Sequence, residues 1–170
     1  RWLYGINLGL NYAGFDVSVF FQGVGHQDWY PAGNAMLFWG PYARAYATLM
    51  PKDFHRMYWT EDHKDAYFPR PRAYTALTSN SELTVANDRY LQNVAYCRLK
   101  NLTVGYTLPG RVSEKLKLKS LRVYFTGDNM AYWAPGLYSS YVDPEQAISG
   151  GNLRVYSWMK TFMFGIDITF

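Results

Sequence analysis

The residues with the most obvious capacity for chemistry are three histidines and the carboxylates near them. His55 and His63 lie close together in the chain beside Glu61, Asp62 and Asp65, and His26 lies upstream. A metal centre needs three or four converging ligands. No usual zinc spacing occurs, so this stretch reads as a polar loop with no metal. Asp143-Pro144-Glu145 supplies two carboxylates, too few for a calcium site. A turn fixed by the proline is the better reading. No nucleophile motif or Gly-rich phosphate loop is visible, so the chain is not read as an enzyme and implies no cofactor. Cys97 is the only cysteine. It permits no internal disulfide and reads as a small inert residue, lumen-facing or near a loop.

What remains is ring surface. The chain has 16 Tyr, 10 Phe and 6 Trp in 170 residues. Tyr30, Trp39, Tyr42, Tyr58, Trp59, Tyr67, Trp133 and Tyr138 fall outside the regular patterns described next. Such rings combine a large contact area with a polar handle. They could stack on sugar rings or pack against a partner protein. They could equally pack a large loop against itself.

The elements that must position these rings are strands. Trp2, Tyr4, Ile6, Leu8 and Leu10 alternate with Leu3, Gly5, Asn7, Gly9 and Asn11, the period of a strand with one apolar face. Tyr12-Ala13-Gly14 supplies a tight turn. Phe15, Val17, Val19 and Phe21 then alternate with Asp16, Ser18, Phe20 and Gln22, completing a hairpin. Alternation is lost from about Val24 to Val94, where five prolines punctuate an elaborate loop with its own aromatic packing. A helical turn or two is expected over Ala43 to Met50.

Alternation returns at Tyr96. Leu102, Val104, Tyr106 and Leu108 face one way, and Cys97, Leu99, Asn101, Thr103 and Gly105 the other. Arg98 and Lys100 spoil the apolar side of the upper part. Strands are expected over about 2–12, 15–23, 95–108, 120–131 and 155–170, with long loops over about 24–94 and 132–154. The last strand alternates most clearly, with Tyr156, Trp158, Phe162, Phe164, Ile166, Ile168 and Phe170 on one face.

Five amphipathic strands can bury their apolar faces against a second sheet or against lipid. The connections alternate short and long, so all the long ones lie at one end. That asymmetry marks outer-membrane barrels. Strands of ten or so residues suit a tilted membrane crossing, whereas sandwich strands are usually shorter. Trp2, Tyr12, Phe15, Tyr106, Trp158 and Phe170 sit where interfacial girdles would form. The expected fold is all-β: a transmembrane antiparallel β-barrel with long external loops containing short helices. A soluble β-sandwich is the competing reading.

Composition excludes other classes. The aromatic share of 19% is too high for a disordered chain. No apolar run reaches the length of a membrane helix. The net charge of +4 is spread along the chain, apart from Arg111, Lys115, Lys117, Lys119 and Arg122. That group reads as a solvated turn with a short amphipathic helix, and no nucleic-acid partner is inferred.

Several segments resemble a known family. Tyr96 to Pro109, "YCRLKNLTVGYTLP", looks like a signature of SusC/RagA-type TonB-dependent outer-membrane receptors of Bacteroidota. "LRVYFTGDN" (Leu121 to Asn129) with Asp143-Pro144-Glu145 downstream, and the hairpin "NLGLNYAGFDVSVFFQG" (Asn7 to Gly23), are similar to it as well. So are the region of Trp59 and Phe68-Pro69-Arg70 and the ending "FGIDITF" (Phe164 to Phe170).

The resemblance implies that the chain is the last five strands of a barrel of roughly 22 strands, the plug and remaining barrel lying elsewhere. Five strands alone would leave two open edges in lipid. It implies nutrient import, of glycan or peptide, as the barrel subunit of a SusCD-like complex in the cell outer membrane. The implied partners are a SusD-like surface lipoprotein, TonB through the N-terminal part, outer-membrane lipid and the substrate, with a dimer of receptor–lipoprotein pairs left open. It marks Phe164, Ile166, Ile168 and Phe170 as an assembly signal. Trp39, Tyr42, Tyr58, Trp59, Tyr67, Trp133 and Tyr138 are the candidate substrate or partner contacts. A structural barrel that scaffolds surface proteins is the alternative role.

Overall fold

Tyr12 and Phe15 face each other across a two-residue turn. Ala13 (φ 48°) and Gly14 (φ 87°) both adopt left-handed backbone, the geometry whose twist matches paired antiparallel strands. The turn joins β1 (Leu3–Tyr12) to β2 (Phe15–Val24). The computed structural model describes residues 2–43, 50–72, 83–149 and 156–170. The helical turn expected between Ala43 and Met50 lies outside these.

Two units make up the chain. The first, Arg1–Gln27, Ala95–Pro135 and Trp158–Phe170, holds the main sheet. The second, Asp28–Val94 and Gly136–Ser157, holds the long loops. In the loop unit β3 (Asp28–Trp29) pairs with β4 (Gln92–Asn93). The main sheet continues with β5 (Tyr96–Thr107), β6 (Ser120–Trp133) and β7 (Thr161–Thr169). Its order is β1-β2-β5-β6-β7, antiparallel throughout. A six-residue helix, α2 (Gly110–Lys115), joins β5 to β6. The basic residues of that connection divide: Lys115 ends the helix, whereas Arg122 lies inside β6.

Register sorts the side chains onto two faces. Leu8, Val19 and Leu102 line up across β1, β2 and β5, and Val17, Val104, Phe125 and Phe164 across β2 to β7. This face is apolar and open, with Phe164 84% exposed. The opposite face is polar. Asn101 Nδ2 donates to Asp128 Oδ1 at 2.8 Å, and the Thr103 and Thr126 hydroxyls meet at 3.1 Å. Arg122 donates to Asp16 (2.6 and 2.9 Å) and to Asp167 (2.9 Å), tying β2, β6 and β7 together.

Glycines make room for some of these contacts. A Cβ on Gly105 would fall 2.4 Å from Asp16 and 2.7 Å from Arg122. The Tyr124 ring lies over Gly165, as the Tyr4 ring lies over Gly23, the way an aromatic side chain compensates a bare strand position.

Two irregularities correct the expected faces. Phe20 opposes Asn101 but Phe21 opposes Leu99, so Lys100 is an extra residue in β5. A bulge of this kind shifts side-chain parity by one. Leu99 and Cys97 therefore join the apolar face with Phe21 and Tyr4, not the face of Asn101 and Thr103. Arg98 moves to the polar side, between the rings of Tyr96 and Tyr132. The trouble with Arg98 and Lys100 in the sequence pattern was the imprint of this insertion. In β6, Asn129 (φ 50°) bulges opposite the same point.

The last strand is also shorter than expected, beginning at Thr161 and not near 155. Its ladder with β6 stops at the Asp128–Thr161 pair, where β6 bulges and continues beside β5 alone. Trp133, expected in a loop, closes β6.

Candidate functional site

The loop unit is built around Trp39. Its indole Nε1 donates to the carbonyls of Pro31 and Ala32 at 3.2 and 2.9 Å, and the residue is fully buried. It sits at the end of α1 (Met36–Trp39), a single turn stopped by Gly40 and Pro41. Phe38, Phe68 and Tyr90 pack against it with ring centres 4.9–6.1 Å away. Tyr42 is buried beside Phe54 and Phe68, and its hydroxyl donates to the Pro69 carbonyl. Burial, together with nearby Tyr90 and Tyr58, holds that phenol well above its ordinary range.

Tyr67 links the two loops of this unit. Its ring stacks on Tyr138 at 3.8 Å, and its hydroxyl accepts from Gln92 Nε2 (2.7 Å) and donates to the Arg89 carbonyl (3.0 Å). Gln92 Oε1 accepts from the Tyr138 backbone N–H at 2.9 Å. Burial pushes the Tyr67 phenol up to about 12, although the Gln92 hydrogen bond opposes the shift.

The candidate rings therefore separate by environment. Trp39 and Tyr42 have their surface consumed by packing. Tyr58 and Tyr67 are half-buried at the margin of the same core. Trp59 is half-buried with the Arg70 guanidinium 5.1 Å from its ring centre. Tyr138 is 43% exposed and Trp133, at the end of β6, 69%. Tyr30 donates to the carbonyls of Leu83 and Val85.

Beside Trp59 opens a cavity of about 550 Å³. Phe68 and Tyr90 contribute ring surface, and Lys64, Arg70, Arg72 and Arg89 contribute positive charge. Among the described residues that line it, none is acidic. Arg89 is locked by donation to the Ala66 (2.6 Å) and Tyr67 (2.9 Å) carbonyls. These four cations are dispersed over 26 positions of sequence, so no charge run betrays them.

The polar motifs resolve into structure. The Thr60 and His63 backbones exchange hydrogen bonds at 3.1 and 3.2 Å, closing a turn that carries Glu61 and Asp62. Among the described residues no group of three or more His, Cys, Asp or Glu side chains could hold a metal. Asp143-Pro144-Glu145, expected to be a turn, opens α3 (Pro144–Ser149). Asp143 Oδ1 accepts from the Glu145 N–H at 2.9 Å, which makes it an N-cap ahead of proline at the first helical position.

No protein-family model matches the chain. TonB-dependent receptor P3 of Formosa agariphila is 27% identical over 175 residues, covering 98% of this chain and 16% of the relative. TonB-dependent receptor P26 of the same organism is 25% identical over 178 residues, covering 99% and 17%. A solved structure of the RagAB peptide importer in its open-open state superposes with a TM-score of 0.63 at 22% identity, over 99% of this chain and 17% of that one. A structure of the RagAB peptide transporter gives 0.64 at 23%, covering 98% and 17%. The chain resembles the C-terminal portion of a SusC/RagA-type TonB-dependent receptor.

The chain spans about a sixth of the length of these receptors. The likeness to receptor structures makes the five-stranded sheet a stretch of β-barrel wall. Its apolar face is the one that carries Phe164, Ile166 and Ile168, all at least half exposed. No helix among the described residues is long and apolar enough to cross a membrane, which bears only on helical crossings.

Proposed function

We propose that this chain forms part of the wall and external loops of an outer-membrane, TonB-dependent nutrient importer. The observation that carries the reading is the two-faced sheet. A contiguous open band including Leu8, Leu10, Phe164 and Ile166 far exceeds scattered surface hydrophobics, while the reverse face is a ladder of Asn, Asp, Thr and Arg contacts. Hydrocarbon on one side and a wet lumen on the other satisfy both faces at once. The long loops would be external, where a SusD-like surface lipoprotein would deliver a glycan or peptide. TonB would supply the energy through a part of the receptor beyond this chain. The RagAB importer, with its peptide cargo, supports the fold of this reading.

The test is fractionation together with uptake. The full-length protein should sediment with the outer membrane, require detergent for extraction, and support growth on its substrate only in cells with functional TonB. Release by salt or carbonate alone would overturn the barrel assignment. Substrate accumulation unaffected by loss of TonB would overturn the energy coupling.

A further inference from the structure

We propose that the cavity beside Trp59 binds an acidic saccharide, the carboxylate of a uronate unit meeting Lys64 and Arg70 and its ring lying against aromatic surface. This rests on the import reading above and narrows its substrate. The cavity volume of about 550 Å³ falls within the roughly 300–1,000 Å³ of small-molecule sites. Its described lining is basic: Lys64, Arg70, Arg72 and Arg89 contribute four cations, and none of the other described lining residues is acidic. Arg70 has Glu61 at 3.7 Å, a carboxylate whose side chain is 84% exposed. Arg89 is held rigid by two backbone carbonyls, so it contributes fixed positive potential. All four cations are exposed, so their pull on an anion is the summed potential of a basic cluster, and it is screened by salt.

The backbone decides between sugar and peptide. An extended peptide is usually read by a ladder to free N–H and C=O groups. Here the Phe68 N–H donates to Met57 O and the Phe68 carbonyl accepts from Trp59 N, both at 2.9 Å. The Ala66 and Tyr67 carbonyls are taken by Arg89. Pro69 and Pro71 have no N–H to offer. From Ala66 to Pro69 every carbonyl is already engaged, and the wall presents charge and ring faces, which suits a carboxylate-bearing ring.

The experiment is calorimetric titration of the full-length receptor in detergent with oligogalacturonate, neutral maltooligosaccharide and poly-glutamate. Oligogalacturonate should bind and weaken with added salt. Lys64→Gln and Arg70→Gln should each lower its affinity by about tenfold, the loss of one charge-assisted contact. Heat-dependent gel mobility of both variants should stay that of the folded barrel. Equal affinity in the variants, equal binding of the neutral sugar, or preference for poly-glutamate would overturn the proposal. TonB-dependent uptake of another substrate in such a case would leave the import reading standing.

Discussion

Arg122 reaches Asp16 across an intervening strand. The two residues belong to β6 and β2, with β5 between them, and they meet at 2.6 Å because Gly105 has no side chain in the gap. The same guanidinium holds Asp167 of β7 at 2.9 Å. One cation thus ties three strands, β2, β6 and β7, from the polar side, reaching over β5.

Gly105→Ala should part this pair, because its Cβ would lie 2.4 Å from the Asp16 carboxylate. The groups are partly wet, so the loss should be small but measurable. Denaturant unfolding in detergent measures it. Adding Gly105→Ala to Arg122→Ala should cost much less than Gly105→Ala alone, the coupling expected of residues in contact. Additive losses would show that Gly105 serves another purpose.

Phe164→Arg and Thr161→Arg compare the two faces on one strand. Phe164 stands on the open apolar side, so arginine there should cost about 2–4 kcal/mol near a bilayer midplane and lower the amount of assembled barrel. Thr161 pairs with Asp128 on the polar side, where arginine meets water and a carboxylate. Its variant should assemble normally. Equal tolerance at both positions would reverse the face assignment.

Ala13→Gly should stabilise the first hairpin by about 1 kcal/mol, since left-handed backbone costs an L-residue roughly 1–2 kcal/mol and glycine adopts it freely. The check is the unfolding midpoint of the variant. A destabilised variant would mean that the Ala13 methyl makes a contact of greater value.

The loop unit should loosen in alkali. Tyr67 has its pKa raised from 10.0 to about 12, so its neutral form is favoured by folding. The associated stability is complete below pH 10 and is lost as pH rises through about 12. Near-ultraviolet circular dichroism against pH follows the packed rings. Tyr67→Phe should blunt the alkaline change and at neutral pH cost about 1 kcal/mol, because Gln92 loses an acceptor. An unchanged alkaline profile in that variant would remove Tyr67 as its source.

Asp143→Ala should shorten or fray α3, removing the acceptor for the Glu145 N–H. The expected cost is about 1 kcal/mol. Hydrogen exchange over residues 145–147 reports it directly, and unchanged protection there would contradict the cap.

The sheet was legible because β1, β2 and β7 alternate without interruption, and short-range pattern is what a strand writes into sequence. β5 was legible only from Asn101 onward. An inserted residue reverses every side chain beyond it, yet leaves no compositional mark apart from a misplaced arginine. The loop unit was harder for a different reason. Trp39 and Trp59 are the same residue type in the same stretch, and only packing makes one a core and the other a cavity wall. Lys64, Arg70, Arg72 and Arg89 converge because Phe68 and Tyr90 bring two distant segments together, a long-range fact that spacing cannot carry. Asp143-Pro144 looked like a turn because an N-cap uses the same residues as a turn.

Lys100 also behaves like a frameshift in a coding sequence. Below it, odd and even positions of β5 mean one thing, and above it they mean the opposite. A comparable barrel strand without the extra residue would have to carry its apolar side chain where Arg98 stands and its polar one where Leu99 stands. Two such strands aligned by hydrophobic pattern alone would slip by one position at this point, and the slip itself would locate the bulge.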